Sequence, residues 1–172
     1  MRDDRNKWDE LRGVDDIIDT NGAMVSTVSC PRQTLISGVN VLQQTGPVIG
    51  WPDIATSRTY SLSVRRDRVL IVGGDFREDG WHQDLGQAVS DASGAYTVLE
   101  ISGPNAFELL KRGTELSLKI PSRSVARLAF GVGVFLYRHT NETTFRLHVA
   151  SAQCQTMWQS LETNLESLEC VS

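Results

Sequence analysis

From residue 59 onward, apolar and polar positions recur with clear periods. Residues 60–64, Tyr60-Ser61-Leu62-Ser63-Val64, alternate as a half-buried strand does. Arg65 to Arg68 turn the chain, and Val69-Leu70-Ile71-Val72 reads as a buried strand ended by Gly73-Gly74. Trp81, Leu85 and Val89 recur at four-residue spacing, which predicts one stripe of a helix. Residues 90–94 predict a turn, and residues 95–102 alternate again, with Thr97, Leu99 and Ile101 opposite Tyr96, Val98 and Glu100. Then comes the best-punctuated helix of the chain. Pro104 suits the first helical position, Ala106, Phe107, Leu109 and Leu110 form the apolar face, Lys111 and Arg112 suit the negative end of the dipole, and Gly113 suits the stop.

After Pro121 three strands are predicted, over residues 125–130, 132–137 and 144–149, the last two joined as a hairpin by residues 140–143. Ser151 is placed to cap a closing helix whose stripe is Met157, Trp158, Leu161, Leu165 and Leu168. The first 58 residues are less regular. Trp8, Leu11, Val14, Ile17 and Ile18 are scattered anchors in a polar, acidic stretch, compatible with a short amphipathic helix or with an arm that orders against a partner. Residues 34–42 read as extended, and Gly46-Pro47 and Trp51-Pro52 break the chain into loop.

Hairpin-joined strands with helices between them predict an α+β fold, an antiparallel or mixed sheet with helices packed mainly on one face. The expected division is a loosely structured N-terminal arm over 1–58 and a compact domain over 59–172. Such an arm would dock on neighbouring chains with Trp8 or Trp51 as an anchor, the alternative being that both tryptophans fold back onto their own core.

Composition narrows the function classes. The 172 residues are 40% hydrophobic and 22% charged, ordinary for a globular chain. A net charge of -4 argues against nucleic acid as a partner, and the densest basic group, Arg65-Arg66-Asp67-Arg68, contains an acid and suits a solvated turn. No apolar run approaches the ~18–20 residues that span a bilayer, so no membrane role is expected. The charged start, Met1 to Lys7, lacks a signal peptide's apolar stretch, and a cytoplasmic address is expected. Cys30, Cys154 and Cys170 are odd in number and widely spaced, which predicts neither a disulfide framework nor a zinc site. Cys154 reads as a buried or half-buried free thiol.

The search for reaction chemistry is mostly negative. His82, His139 and His148 lack the i+3 or i+4 partner of a helical metal site, and a surface or cross-strand role is expected of His139 and His148. Gly131-Val132-Gly133 lacks a third glycine and precedes a strand, so a tight turn explains it better than a dinucleotide site. Asp75, Glu78, Asp79 and Asp84 fall near the predicted helix start at Trp81, where acids favour the dipole. Neither a nucleophile elbow nor a phosphate loop occurs. Asn141-Glu142-Thr143 matches a glycosylation sequon, which has no meaning without secretion. No catalytic, cofactor-binding or metal-binding residue is therefore assigned.

Residues 89–113, from Val89-Ser90-Asp91 through Ser102-Gly103-Pro104 and the paired Leu109-Leu110 to Arg112-Gly113, resemble the family of sarcosine oxidase gamma subunits. The resemblance continues through Ser124 to Arg127, residues 144–149 and Trp158, and so covers about residues 60–168. It departs at residues 63–70 and at the short loop Ile120-Pro121-Ser122. The strand, Ser102-Gly103-Pro104 and helix element is also similar, more distantly, to folate-binding aminomethyltransferases.

The resemblance implies an aminomethyltransferase-like fold and a place in a four-chain complex that oxidatively demethylates a secondary amine acid, sarcosine or a related N-methyl amino acid. In such complexes the alpha subunit carries NAD and a tetrahydrofolate-binding domain, the beta subunit FAD and covalent FMN, and the delta subunit zinc. The gamma subunit has no cofactor of its own. A stand-alone folate-dependent aminomethyltransferase is a rival, but such enzymes are about twice this length. A free-standing folate-binding module of the same fold is the other.

Overall fold

The computed structural model describes residues 17–168, in which the alternating stretches become twelve strands and three helices. Strands β1 (Ile17–Thr20) and β2 (Ala23–Val28) form a hairpin on Asn21-Gly22. Both turn residues have positive φ, 57° and 73°, which is why an Asn-Gly pair stands there. The remaining strands are β3 (Gln33–Gly38), β4 (Ile54–Ala55), β5 (Tyr60–Arg65), β6 (Arg68–Val72), β7 (Gly80–His82), β8 (Gln87–Asp91), β9 (Tyr96–Ser102), β10 (Ala126–Ala129), β11 (Val132–His139) and β12 (Thr144–Ala150). The helices are α1 (Val41–Gln44), α2 (Ala106–Gly113) and α3 (Cys154–Glu166), the last entered through a single 3-10 turn, Ser151–Gln153.

The strands build two sheets where one was expected. The larger runs β1-β2-β9-β12-β11-β10, with β4 added in parallel at the Arg138 and His139 end of β11. The smaller is antiparallel, β5-β6-β3-β8-β7. Period-two alternation decides what each face meets. On β12, Phe145, Leu147 and Val149 point into one core with Leu109 of α2 and Leu161 of α3. On β11, Tyr137 points the other way, into a second core shared with Tyr60 and Leu62 of β5 and Leu70 and Val72 of β6. A third, smaller core lies on the far face of the smaller sheet, where Val41 of α1 covers Ile36, Val69 and Val89. The fold is thus sheet-rich α+β, with α2 and α3 packed on one face of the larger sheet.

Three expectations need correction. Residues 81–89 are not a helix but the hairpin β7–β8. Four-residue spacing is also a multiple of two, so it serves a strand as well as a helix, and positive φ at Gly80, which opens β7, and at Gly86, which ends the turn, interrupts any helix. Of the expected stripe only Val89 is buried, while Trp81 and Leu85 face solvent. Residues 34–42 are extended only as far as Gly38, after which α1 begins. Ser151 does not cap with its side chain; its hydroxyl donates to the Gly94 carbonyl.

The expected arm over 1–58 also differs from the structure for its described part. β2 lies between β1 and β9, and β3 lies between β6 and β8. A boundary at residue 58 therefore falls within hydrogen-bonded sheets whose order comes from distant strands, which local apolar density does not reveal. Trp51 is 2% exposed, stacked 6.3 Å from Phe145, and donates its indole N–H to the Ser117 carbonyl at 2.7 Å. It belongs to this chain's own core, so its role as a docking anchor is withdrawn. Residues 1–16, with Trp8, lie outside the described residues.

The start of α2 is pinned to the β1–β2 turn, since the Asn105 side chain donates to the Asn21 carbonyl at 2.7 Å and the Asn105 N–H to that of Gly22 at 3.0 Å. Pro104 precedes the helix, and Gly113 is its last residue rather than the one beyond it. Gly113 has a packing reason: a Cβ there would come within 2.2 Å of the ring of Phe130, the residue whose N–H donates to the Gly113 carbonyl.

Two stability outcomes follow. Leu109, fully buried, is expected to cost about 2–5 kcal/mol on change to Ala; a denaturant melt with a loss under about 0.5 kcal/mol, the range of surface sites, contradicts the packing. Gly113→Ala should destabilise, although Ala is favoured over Gly by about 1 kcal/mol within a helix. In a Phe130→Ala background the same change should become neutral or stabilising, and an unchanged sign there rules the ring out as the cause.

Candidate functional site

The second core contains a line of hydrogen-bonded side chains crossing from one sheet to the other. Tyr60 opens β5, Tyr137 lies on β11, His148 on β12, and Gln33 opens β3. The Tyr60 and Tyr137 hydroxyls are 2.7 Å apart, Tyr137 Oη is 2.9 Å from His148 Nε2, and His148 Nδ1 is 2.7 Å from Gln33 Oε1. The Gln33 amide N–H donates onward to the Tyr96 carbonyl at 3.3 Å, and its backbone N–H to Ser93 Oγ at 3.0 Å.

The direction of every bond follows from one end. Gln33 Oε1 can only accept, so His148 Nδ1 carries the proton. A neutral imidazole then offers Nε2 as an acceptor, which Tyr137 must fill with its hydroxyl proton. The Tyr137 oxygen is left to accept from Tyr60. The neutral state has its own cause: burial, with Arg146 adding to it, pushes the His148 pKa down to about 3. Burial likewise drives Tyr137 well above the ordinary phenol value and raises Tyr60. These groups hold their protons through the neutral range.

A charged cluster lies beside the line. Arg146 Nε donates to Glu100 Oε2 at 2.8 Å across β12 and β9, where the two residues are direct cross-strand neighbours. Burial works against the Arg146 charge, but bonds to Glu100 and Tyr60 prevail and raise its pKa. His139 Nδ1 is 3.8 Å from Glu100 Oε2 and 2.7 Å from Thr140 Oγ1. Burial and then Arg146 lower its pKa, against a smaller opposing pull from Glu100. Burial raises the nearby Cys30 thiol, partly offset by Arg146.

The three histidines are not brought together. His82 lies on β7 with Nε2 2.8 Å from the Glu78 carbonyl, His139 ends β11, and His148 is fully buried between the sheets. A surface role for His148 is therefore corrected, while a cross-strand one stands. Asp75, Glu78, Asp79 and Asp84 precede or follow a strand rather than opening a helix, and all are exposed. Phe130-Gly131 makes the tight β10–β11 turn, with φ of 49° and 78°, while Gly133 lies inside β11. Cys154 is buried and free, and Cys170 lies outside the described residues. Among the described residues, no three His, Cys, Asp or Glu side chains are grouped to hold a metal. Gln33, Tyr60 and Tyr137 were missed. The available signal was that Thr144, Arg146 and His148 share one face of a strand, but nothing local told that a second sheet covers that face.

The family model described as the sarcosine oxidase gamma subunit family matches residues 59–166, a span that contains Tyr60, Tyr137 and His148. Among solved structures, a chain of heterotetrameric sarcosine oxidase from Corynebacterium sp. U-96, in complex with pyrrole 2-carboxylate, is similar with a TM-score of 0.65. The likeness covers 88% of each chain at 16% identity, and so speaks for the fold. No curated protein matches the sequence.

His148 makes stability depend on pH in one direction. The unfolded chain takes up a proton as pH falls through the ordinary histidine value of 6.5, whereas the folded chain resists until about 3. Its stability is full above the higher value and is lost as pH falls between the two, at about 1.4 kcal/mol per pH unit. Roughly 2 kcal/mol should go between about pH 6.5 and about pH 5. His148→Gln should flatten that slope, leaving the smaller contribution of His139, which has the same sign. Equal slopes in both proteins would refute the buried neutral imidazole.

Proposed function

The chain belongs to the sarcosine oxidase gamma subunit family, and from that premise we propose that it is the non-catalytic gamma subunit of a heterotetrameric sarcosine oxidase-like complex. The complex oxidatively demethylates a secondary amine acid, sarcosine or a related N-methyl amino acid, in the cytoplasm. The alpha, beta and delta partners carry NAD, tetrahydrofolate, FAD, FMN and zinc, and this chain contributes structure and assembly. Its kinship with the aminomethyltransferase fold is part of the same reading.

The observation that carries it is the family match over 59–166, supported by the likeness in fold to a chain of a heterotetrameric enzyme. The disposition of the titratable groups supports a structural role. Tyr60, Tyr137, His148 and Gln33 are each engaged by the next, and burial keeps the phenols and the imidazole neutral. A general base needs a free acceptor near neutral pH, and a nucleophile needs an activating neighbour. In this line the acceptors are engaged, those of Tyr137, His148 and Gln33 by its own members and that of Tyr60 by Arg146. Among the described residues, no helix is long and apolar enough to cross a membrane.

Co-expression tests the reading. The chain should co-purify with the flavin-bearing and folate-binding subunits in equal number, and omitting it should leave the remaining complex unstable or unassembled. The isolated chain should show neither a flavin absorption band nor stoichiometric zinc. A fully assembled, fully active complex without it refutes the assembly role, and bound flavin in the isolated chain refutes the cofactor-free one.

A further inference from the structure

Phe76, Trp81 and Leu85 stand at the β7 edge of the smaller sheet and are 69%, 63% and 53% exposed. Single exposed apolar residues are ordinary on a protein surface, but two aromatics and a leucine exposed within ten positions of one edge segment are an unusual local concentration of apolar surface. The segment is not slack. Asp79 Oδ1 accepts the Asp91 N–H at 2.8 Å, His82 Nε2 is bonded to the Glu78 carbonyl, and the Arg32 guanidinium lies 4.8 Å from the centre of the Phe76 ring. A fixed loop thus holds the rings out in water, and an already ordered surface loses less entropy on binding. Around them Asp75, Glu78, Asp79 and Asp84 are exposed, four carboxylates against the two cations Arg77 and Arg32, the latter engaged on Phe76. Among the described residues, none of these four carboxylates is held in an ion pair.

We infer that residues 75–85 form a protein-docking surface for a partner subunit that presents an apolar pocket rimmed by Lys and Arg. The inference rests on the subunit reading above and moves the docking anchor from Trp51 to Trp81. The acidic rim selects the occupant. A second copy docked face to face would set like charges against each other, and phosphate backbones or anionic lipid headgroups would be repelled. A basic-rimmed subunit gains from the same charges. Its apolar pocket would receive Trp81 as the buried anchor, a residue type that commonly dominates such interfaces.

The test uses the full chain and the co-expressed alpha, beta and delta subunits. F76A/W81A should bind them about thirtyfold more weakly or worse, with only a small change in melting temperature because both rings are exposed and their own contacts lie at the surface. D75N/E78Q/D84N, which leaves the structural carboxylate of Asp79 in place, should flatten the fall of affinity with salt seen in the wild type. Leu128→Ala, exposed on β10 of the other sheet, should bind as the wild type does. If the wild type joins the complex and F76A/W81A joins equally well, the surface is wrong and the subunit reading survives. If the wild type does not join at all, both fail. Self-association of the wild type that F76A/W81A abolishes would identify a second copy as the occupant and overturn the inference.

Discussion

His148 is buried completely between two sheets, and a buried imidazole must be either neutral or paired with a charge. Neutrality gives it one donor and one acceptor, each of which needs a partner in the interior. Gln33 supplies the first from the smaller sheet, and Tyr137 supplies the second from the neighbouring strand of its own sheet. Tyr60 completes the crossing from the smaller sheet. Sliding β3 by one residue would turn Gln33 to the outer face and leave Nδ1 unpaired, so the bond fixes the register of the smaller sheet against the larger. The polar line is therefore a specification of how two apolar faces meet, which apolar contacts alone define less sharply.

That constraint organises the remaining layers. Once the Tyr137 and His148 faces of β11 and β12 meet the smaller sheet, alternation commits Leu136, Phe145, Leu147 and Val149 to the opposite face, where α2 and α3 cover them. Trp51 enters the same core and stacks on Phe145, although it arises from a segment of loops and bridges. Close approach on this side also explains Gly113, where the ring of Phe130 occupies the space of a side chain. The Asn21-Gly22 turn ties the layer together, its neighbourhood receiving the start of α2 through Asn105 and the end of α3 through the Leu165 carbonyl.

With the interior groups bonded to one another, recognition belongs to the surface. Two of the four tryptophans make the contrast plain: Trp51 is sealed by its own chain, whereas Trp81 stands on an edge hairpin among exposed carboxylates. The chain belongs to a family named for a subunit, and its exposed edge at β7 is aromatic and acidic.

The sequence by itself determined the local grammar. The strands at β5, β6, β9, β11 and β12, the helices α2 and α3, and the gamma-subunit resemblance were all legible, because period-two and period-3.6 patterns and turn residues act within a few positions. The Asn21-Gly22 pair is an equally local hairpin signal, its two residues taking the positive φ such a turn requires. Tertiary structure alone decided which strands became neighbours. Trp81, Leu85 and Val89 satisfy a helix and a strand alike until β3 pairs with β8, and residues 17–58 look sparse until β9 and β6 accept their strands. For the polar line, Gln33 and His148 are 115 residues apart, and no local pattern links them. A polar residue on the alternate face of a strand is read as solvent-facing by default, and only a second sheet laid over that face converts it into a buried group that must find a partner.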